Sequence, residues 1–215
     1  MIKGGKEKAK SRIGKEDFVS YILLDLAGRY GDLFPSLRDC YELEDCKRIA
    51  ETLYTEDANY GYQFDLDGHT VLFFLSDRDA ENAAISVVEE MLKDEPELFN
   101  RDWLNDYLYM SDTDIRLLLG DLDEIYSEQD YTEEEIEEKL EEAREELENN
   151  PLRFLVDELG YDEESAFKML RINYEEAAEA AVNIDGWSHF LGNYDGNGWE
   201  VSIPEGGLVR YTLVN

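Results

Sequence analysis

Tyr62-Gln63-Phe64-Asp65-Leu66-Asp67-Gly68-His69-Thr70-Val71-Leu72-Phe73-Phe74-Leu75 decides the fold class. Two apolar-bearing arms flank Asp67-Gly68, the residue pair preferred in a tight primed turn, so Tyr60 to Leu75 reads as a β-hairpin. Around it the periodicity is helical. Phe18, Ile22, Leu23 and Leu26 lie on one face of a helix from about Glu16 to Tyr30, which Gly31 and Pro35 stop. A second helix spans roughly Leu43 to Tyr54. Further helices are expected at about Asp79–Lys93, Arg101–Met110 and Asp114–Tyr126. Pro151 opens another that Gly160 ends, and short ones follow near Asp162–Leu170 and Tyr174–Val182. From Trp187 the period changes. His189-Phe190-Leu191, an Asp195-Gly196-Asn197-Gly198 turn, Trp199–Ile203 and Leu208–Val214 suggest a small antiparallel meander.

The expected fold is α+β, mostly helical, with an N-terminal β-hairpin and a C-terminal meander. Four regions follow: a flexible basic arm at 1–15, an N-terminal α+β region at 16–110, an acidic helical region at 111–150, and C-terminal helices plus meander at 151–215. A chain of 215 residues accommodates one large or two small domains.

Charge sets the functional question. Asp and Glu number 53 against 20 Lys and Arg, a formal charge of −33. Residues 1–15 run the other way: Lys3, Lys6, Lys8, Lys10, Arg12 and Lys15 face Glu7 alone. The rest therefore carries −38. A body this acidic repels itself, avoids nucleic acid and anionic membranes, and attracts basic partners. Aromatics at 12% argue for a folded chain rather than an acidic disordered tail. Cys40 and Cys46 have no second pair and there are two histidines, which speaks against a disulfide framework or a Cys/His zinc site. No apolar run approaches the ~18 residues of a membrane span, and no hydrophobic stretch of signal-peptide type follows the arm. A soluble, cytoplasmic protein without cofactors is the expectation.

The charge peaks between Asp121 and Glu148, where 15 acidic residues accompany only Lys139 and Arg144. Thr132 and Glu135 form a capping box, and Ile136, Leu140, Ala143 and Leu147 make a narrow apolar stripe at helical spacing. A docked helix is expected, not a disordered tract. Along it Glu134–Glu138, Glu137–Glu141, Glu138–Glu142, Glu141–Glu145 and Glu142–Glu146 are like-charge pairs four apart. Each is destabilising by about 0.2–0.5 kcal/mol. Glu135–Lys139 and Arg144–Glu148 are the two helpful pairs. Repulsion dominates, and local violations of this kind concentrate at functional sites.

Sixteen helical residues span roughly 24 Å. That length matches about seven phosphates of one DNA strand, or about fourteen of a duplex. Glu133, Glu134, Glu137, Glu138, Glu141, Glu142, Glu145 and Glu146, with Asp121, Asp123 and Glu124, are thus the candidate phosphate-like, partner-binding face. Two blander readings compete: a solvated Glu-rich face, and adaptation to high salt. The first is weakened by acidic residues that continue upstream from Glu89 to Asp114 and downstream from Glu163 to Glu179. The second predicts evenly spread charge, against the clustering at 121–148.

Other motifs are weaker. Asn193-Tyr194-Asp195-Gly196-Asn197-Gly198 imitates the start of a calcium loop, but its twelfth position is Pro204 rather than a bidentate Glu, so a β-turn is expected. Glu137-Glu138-Lys139 has a nuclease-like acid–x–Lys spacing that chance supplies among 53 carboxylates. Neither His69 nor His189 has a Ser or Cys neighbour suited to a nucleophile pair, and no phosphate-binding Gly-rich loop occurs. Nothing argues for an enzyme. Trp187, Phe190, Tyr194 and Trp199 are read as a small sheet core.

The stretch Ile172-Asn173-Tyr174-Glu175-Glu176 through Asn183-Ile184-Asp185-Gly186 resembles the closing segment of ArdA-type antirestriction proteins, over about forty C-terminal residues. Ala180-Ala181 stands near the place of that family's usual Arg-Asp. In character the whole chain is similar to acidic inhibitors carried by phages and mobile elements, antirestriction and anti-CRISPR proteins alike. The resemblance implies a non-enzymatic DNA mimic that blocks the basic nucleic-acid groove of a bacterial defence nuclease. The alternatives are an acidic adaptor or chaperone-like module for a basic protein, and a metal-dependent enzyme using paired carboxylates. Narrow acidic helices are compatible with a homodimer that extends the charged surface.

Overall fold

The computed structural model describes residues 14–58, 61–129, 131–192, 197–204 and 207–214. The basic arm before Gly14 and positions 193–196 of the expected C-terminal turn lie outside the described residues. In chain order the elements are α1 (Lys15–Tyr30), α2 (Leu43–Ala50), β1 (Glu56–Asp57), β2 (Tyr62–Leu66), β3 (His69–Phe74), α3 (Asp77–Asp94), α4 (Arg101–Leu104), β4 (Leu108–Tyr109), α5 (Asp112–Ser127) and α6 (Glu133–Asn149). They continue with α7 (Pro151–Arg153), a π-turn at Phe154–Glu158, α8 (Glu163–Met169), β5 (Arg171–Ile172), α9 (Tyr174–Asp185), α10 (Trp187–Leu191), β6 (Gly198–Ile203) and β7 (Gly207–Val214). The protein is a mixed α+β fold, mostly helical. Among the described residues no helix is long and apolar enough to cross a membrane.

Two compact units result. One takes the described residues up to Val87 and from Val182 onward; the other is Val88–Ala181. This division cuts across the four regions expected from sequence, because the C-terminal strands join the N-terminal hairpin. The first unit holds one antiparallel sheet in the order β1-β2-β3-β7-β6. The pairing of β3 with β7 sets Thr70 opposite Val214 and Phe74 opposite Arg210. Val71, Leu72, Phe73 and Phe74 are all buried, so β3 is covered on both faces and sits at the centre of the sheet.

Helix α1 covers one face. Val19, Ile22, Leu23 and Leu26 pack on Phe64, Val71, Phe73, Val201 and Val209. Trp199 lies edge-on to Tyr30 and against Tyr211, while Phe74 meets Trp187, so these two of the four C-terminal aromatics serve the sheet; Phe190 meets His189, and Tyr194 lies outside the described residues. Tyr211 donates a 2.7 Å hydrogen bond to Asp25, which also accepts from Arg29 at 2.7 Å. Burial first, and the Asp25 carboxylate second, keep the Tyr211 phenol protonated far above its ordinary range. Asp67 (φ 50°) and Gly68 (φ 84°) make the expected primed turn, and the Asp67 carboxylate accepts Ser36 N–H at 2.8 Å.

Three local expectations change. His189-Phe190-Leu191 belongs to α10, not to a strand: Gly186 (φ 84°) ends α9, and its carbonyl accepts the His189 N–H, opening a new helix. The helix from Arg101 stops at Leu104, because Leu108 and Tyr109 pair with Ile172 and Arg171 in a two-residue ladder. Cys40 and Cys46, though too few for a framework, form one disulfide with Cα atoms 5.6 Å apart at the entry to α2.

In the second unit α5 packs against α6 over a core of Ile115, Leu119, Leu122, Ala143, Leu147, Phe154 and Leu155. Side-chain caps begin the helices. Ser111 Oγ accepts the Asp114 N–H for α5, and Asp162 accepts the Ser165 N–H for α8.

Gly61 tests the packing of the hairpin edge. It has φ 91°, and a Cβ there would lie 2.7 Å from both the Phe73 carbonyl oxygen and the Phe74 ring. Gly61→Ala is expected to destabilise the protein by about 2–3 kcal/mol in urea unfolding. A neutral result would show that this edge is not packed as described.

Candidate acidic interface

The second unit carries 32 of the 53 carboxylates and 8 of the 20 basic residues, a net −24; the rest of the chain carries −9 with its basic arm, or −13 from Gly14 onward. The acidity is therefore concentrated in the second unit. Its densest element is α6, whose start is well made. Thr132 Oγ1 accepts the Glu135 N–H at 3.3 Å, and the Glu135 carboxylate accepts the Thr132 N–H at 2.8 Å and its hydroxyl at 2.9 Å. Those bonds favour the ionised form and hold the Glu135 carboxyl below its usual range.

The apolar stripe docks the helix. Ala143 is 3% and Leu147 0% exposed, and Ile136 and Leu140 are half-buried. All ten glutamates from Glu133 to Glu148 are exposed, and among the described residues none takes part in an ion pair. The two helpful pairs expected from spacing do not close. Lys139 instead places its ammonium 4.8 Å from the Tyr131 ring centroid and 5.7 Å from that of Tyr126. Two ring faces attract a cation without the cost of fixing a flexible carboxylate chain. Glu135 meanwhile is engaged at the cap.

The candidate glutamates do not share one face. At 100° per residue they spread around the three sides left by the stripe. Glu133, Glu137 and Glu141 join Asp123 of α5 along a groove of about 380 Å³ floored by Leu119, Ile136 and Leu140, with Arg144 on its wall. Glu142, Glu145 and Glu146 line a second groove of about 470 Å³ with Glu158, Lys139 and Arg153. Glu134 and Glu138 line neither groove. With Glu141 and Glu145 they form an outward ridge at i, i+4, i+7 and i+11, while both cations of α6 stand on its flanks. Asp121 and Glu124 belong to the outward face of α5 and are exposed.

Two further residues share that face. Leu117 is 66% exposed, and Gly120 has nothing within 4 Å of where a Cβ would be. A glycine inside a helical pattern was the one sequence signal that pointed there. Elsewhere, among the described residues, no three His, Cys, Asp or Glu side chains converge on a metal position. His69 packs edge-on to Phe34 and His189 to Phe190. Comparison with protein-family models, curated proteins and solved structures returned no match.

The cap and the ridge predict opposite effects. Thr132→Ala should cost about 1 kcal/mol. Glu138→Gln removes two like-charge neighbours and should raise Tm by about 1–3 °C. Because the folded-state pKa of Glu135 is depressed, its contribution is present above the unfolded pKa and is lost as pH falls through the folded value. Thermal melts of both variants from neutral to acid pH check this: the deficit of Thr132→Ala should shrink once Glu135 is protonated. A constant deficit would contradict the reciprocal cap.

Proposed function

We propose that the second unit is a polyanionic binding surface that occupies the basic nucleic-acid-binding groove of a bacterial defence nuclease, restriction enzyme or CRISPR effector, in the host cytoplasm. It works by charge mimicry of DNA and without catalysis. The observation that carries this reading is α6: an ordered, capped and docked helix whose ten carboxylates all face solvent with no ion pair among the described residues. Isolated surface charges contribute little to stability, and like charges subtract from it. Beyond Glu135 at the cap and Glu133 and Glu134 in the first turn, the array therefore has no role within the fold, and a partner rich in Lys and Arg supplies one. Each carboxylate can accept charge-assisted hydrogen bonds from such a partner. The resemblance of the chain to acidic antirestriction and anti-CRISPR inhibitors points the same way.

Leu117 favours a second reading, an acidic adaptor for a basic protein that does not compete with nucleic acid. Apolar contact beside charge is common to protein interfaces and foreign to a phosphate backbone.

Capture from bacterial lysate on the immobilised protein tests the charge term. A basic nucleic-acid-binding partner should be retained at low ionic strength. Its retention should fall about tenfold or more between roughly 50 and 200 mM NaCl. Glu134→Lys, Glu138→Lys, Glu141→Lys and Glu145→Lys combined should abolish capture with an unchanged circular dichroism spectrum. Full capture by that variant would eliminate α6 as the binding surface.

A further inference from the structure

Helix α5 carries a feature that charge mimicry does not use. Gly120 lies in the middle of its sixteen residues, where glycine costs stability relative to alanine because it loses more freedom on folding. Packing does not require it, since nothing within 4 Å would meet a Cβ. Gly28 of α1 is equally open, but it stands in the last turn, where glycine is ordinary. Leu117, one turn before Gly120, is 66% exposed, and Ile125 at the edge of the same face is 50% exposed. A single exposed leucine is common. A leucine beside an open mid-helix glycine is a step and a notch, the relief that lets a second backbone approach closely.

The surroundings identify what approaches. Asp121 and Glu124 flank Leu117 and Gly120 at one and two turns, and Glu128 follows. The single cation of α5, Arg116, is exposed one turn before Gly120, on the edge of the face away from Leu117 and Asp121. A second copy of the chain would bring a −24 unit against a −24 unit. The complementary surface is an amphipathic helix with an apolar stripe and flanking Lys or Arg. We propose that the face of α5 around Leu117 and Gly120 is the seat of such a basic helix on the partner. This rests on the reading of the second unit as a surface for a basic protein, and adds to it an apolar anchor that salt does not screen.

Two peptides separate the seat from the charge: an amphipathic lysine/leucine peptide of about five helical turns, and an oligolysine of equal charge. Calorimetry should show both binding at low salt. At about 0.5 M NaCl only the lysine/leucine peptide should remain bound. Leu117→Ser and Gly120→Gln, neither of which alters charge, should each weaken that residual binding about tenfold and leave oligolysine affinity within about twofold. Gly120→Ala should raise Tm by about 2–4 °C, which shows that the fold itself gains nothing from the glycine. Loss of both peptides in step with salt, or indifference of the lysine/leucine peptide to both substitutions, would overturn the seat and leave the acidic-surface reading intact. Binding of neither peptide at low salt would overturn both. Self-association of the protein that Leu117→Ser abolishes would assign the face to a second copy and overturn the proposal.

Discussion

Three side chains hold α6 against the mutual repulsion of ten. Leu140, Ala143 and Leu147 pack into the core of the unit while Ile136 lines the groove beside Leu119, and beyond the cap at Glu135 and the first-turn carboxylates of Glu133 and Glu134 its glutamates contribute nothing that favours folding. Burying one methylene is worth about 0.8 kcal/mol, whereas each like-charge pair costs a few tenths. A narrow stripe therefore suffices, and the other three sides of the helix are released from folding. That release is what allows charge to accumulate on them without unfolding the unit.

The first unit solves a different problem. Its sheet has a doubly covered central strand, and β3 acquires its second neighbour only when β7 returns from the end of the chain. The whole of Val88–Ala181 is thereby an insertion between two parts of one sheet. Arg210 of β7 bridges Asp77 and Glu200 and lowers the Asp77 carboxyl below its usual range, so two carboxylates of this unit are neutralised within the sheet. The contrast with α6, where no such bridge forms among the described residues, separates carboxylates that serve the fold from carboxylates that do not.

Local features were legible in the sequence because local chemistry determines them. Asp67-Gly68, the Thr132–Glu135 box and the stripe of α6 all depend on residues within a few positions of one another. The union of hairpin and C-terminal strands was not legible, since the contact of Thr70 with Val214 spans most of the chain and leaves no local trace. Spacing places His189 in a strand, whereas Gly186 resets the chain into a second helix after α9. The candidate glutamates were correctly placed outside, but spacing alone treated them as one array. The structure distributes them between a ridge and two grooves, and moves Lys139 from its expected carboxylate partner to an aromatic pair. Gly120 inside a helical pattern is the one signal the sequence carries at this face, while the exposure of Leu117 and the open space beside Gly120 depend on packing that local spacing does not encode.

The central claim is that the acidic unit and a nucleic acid compete for one basic groove. Fluorescence anisotropy of a labelled duplex bound to the captured partner measures this directly as the protein is titrated in. The account predicts release of the duplex at stoichiometric protein, with the released fraction falling as salt rises. A stable ternary complex, with anisotropy that increases instead of dropping, would contradict mimicry and leave the protein an adaptor for a basic partner.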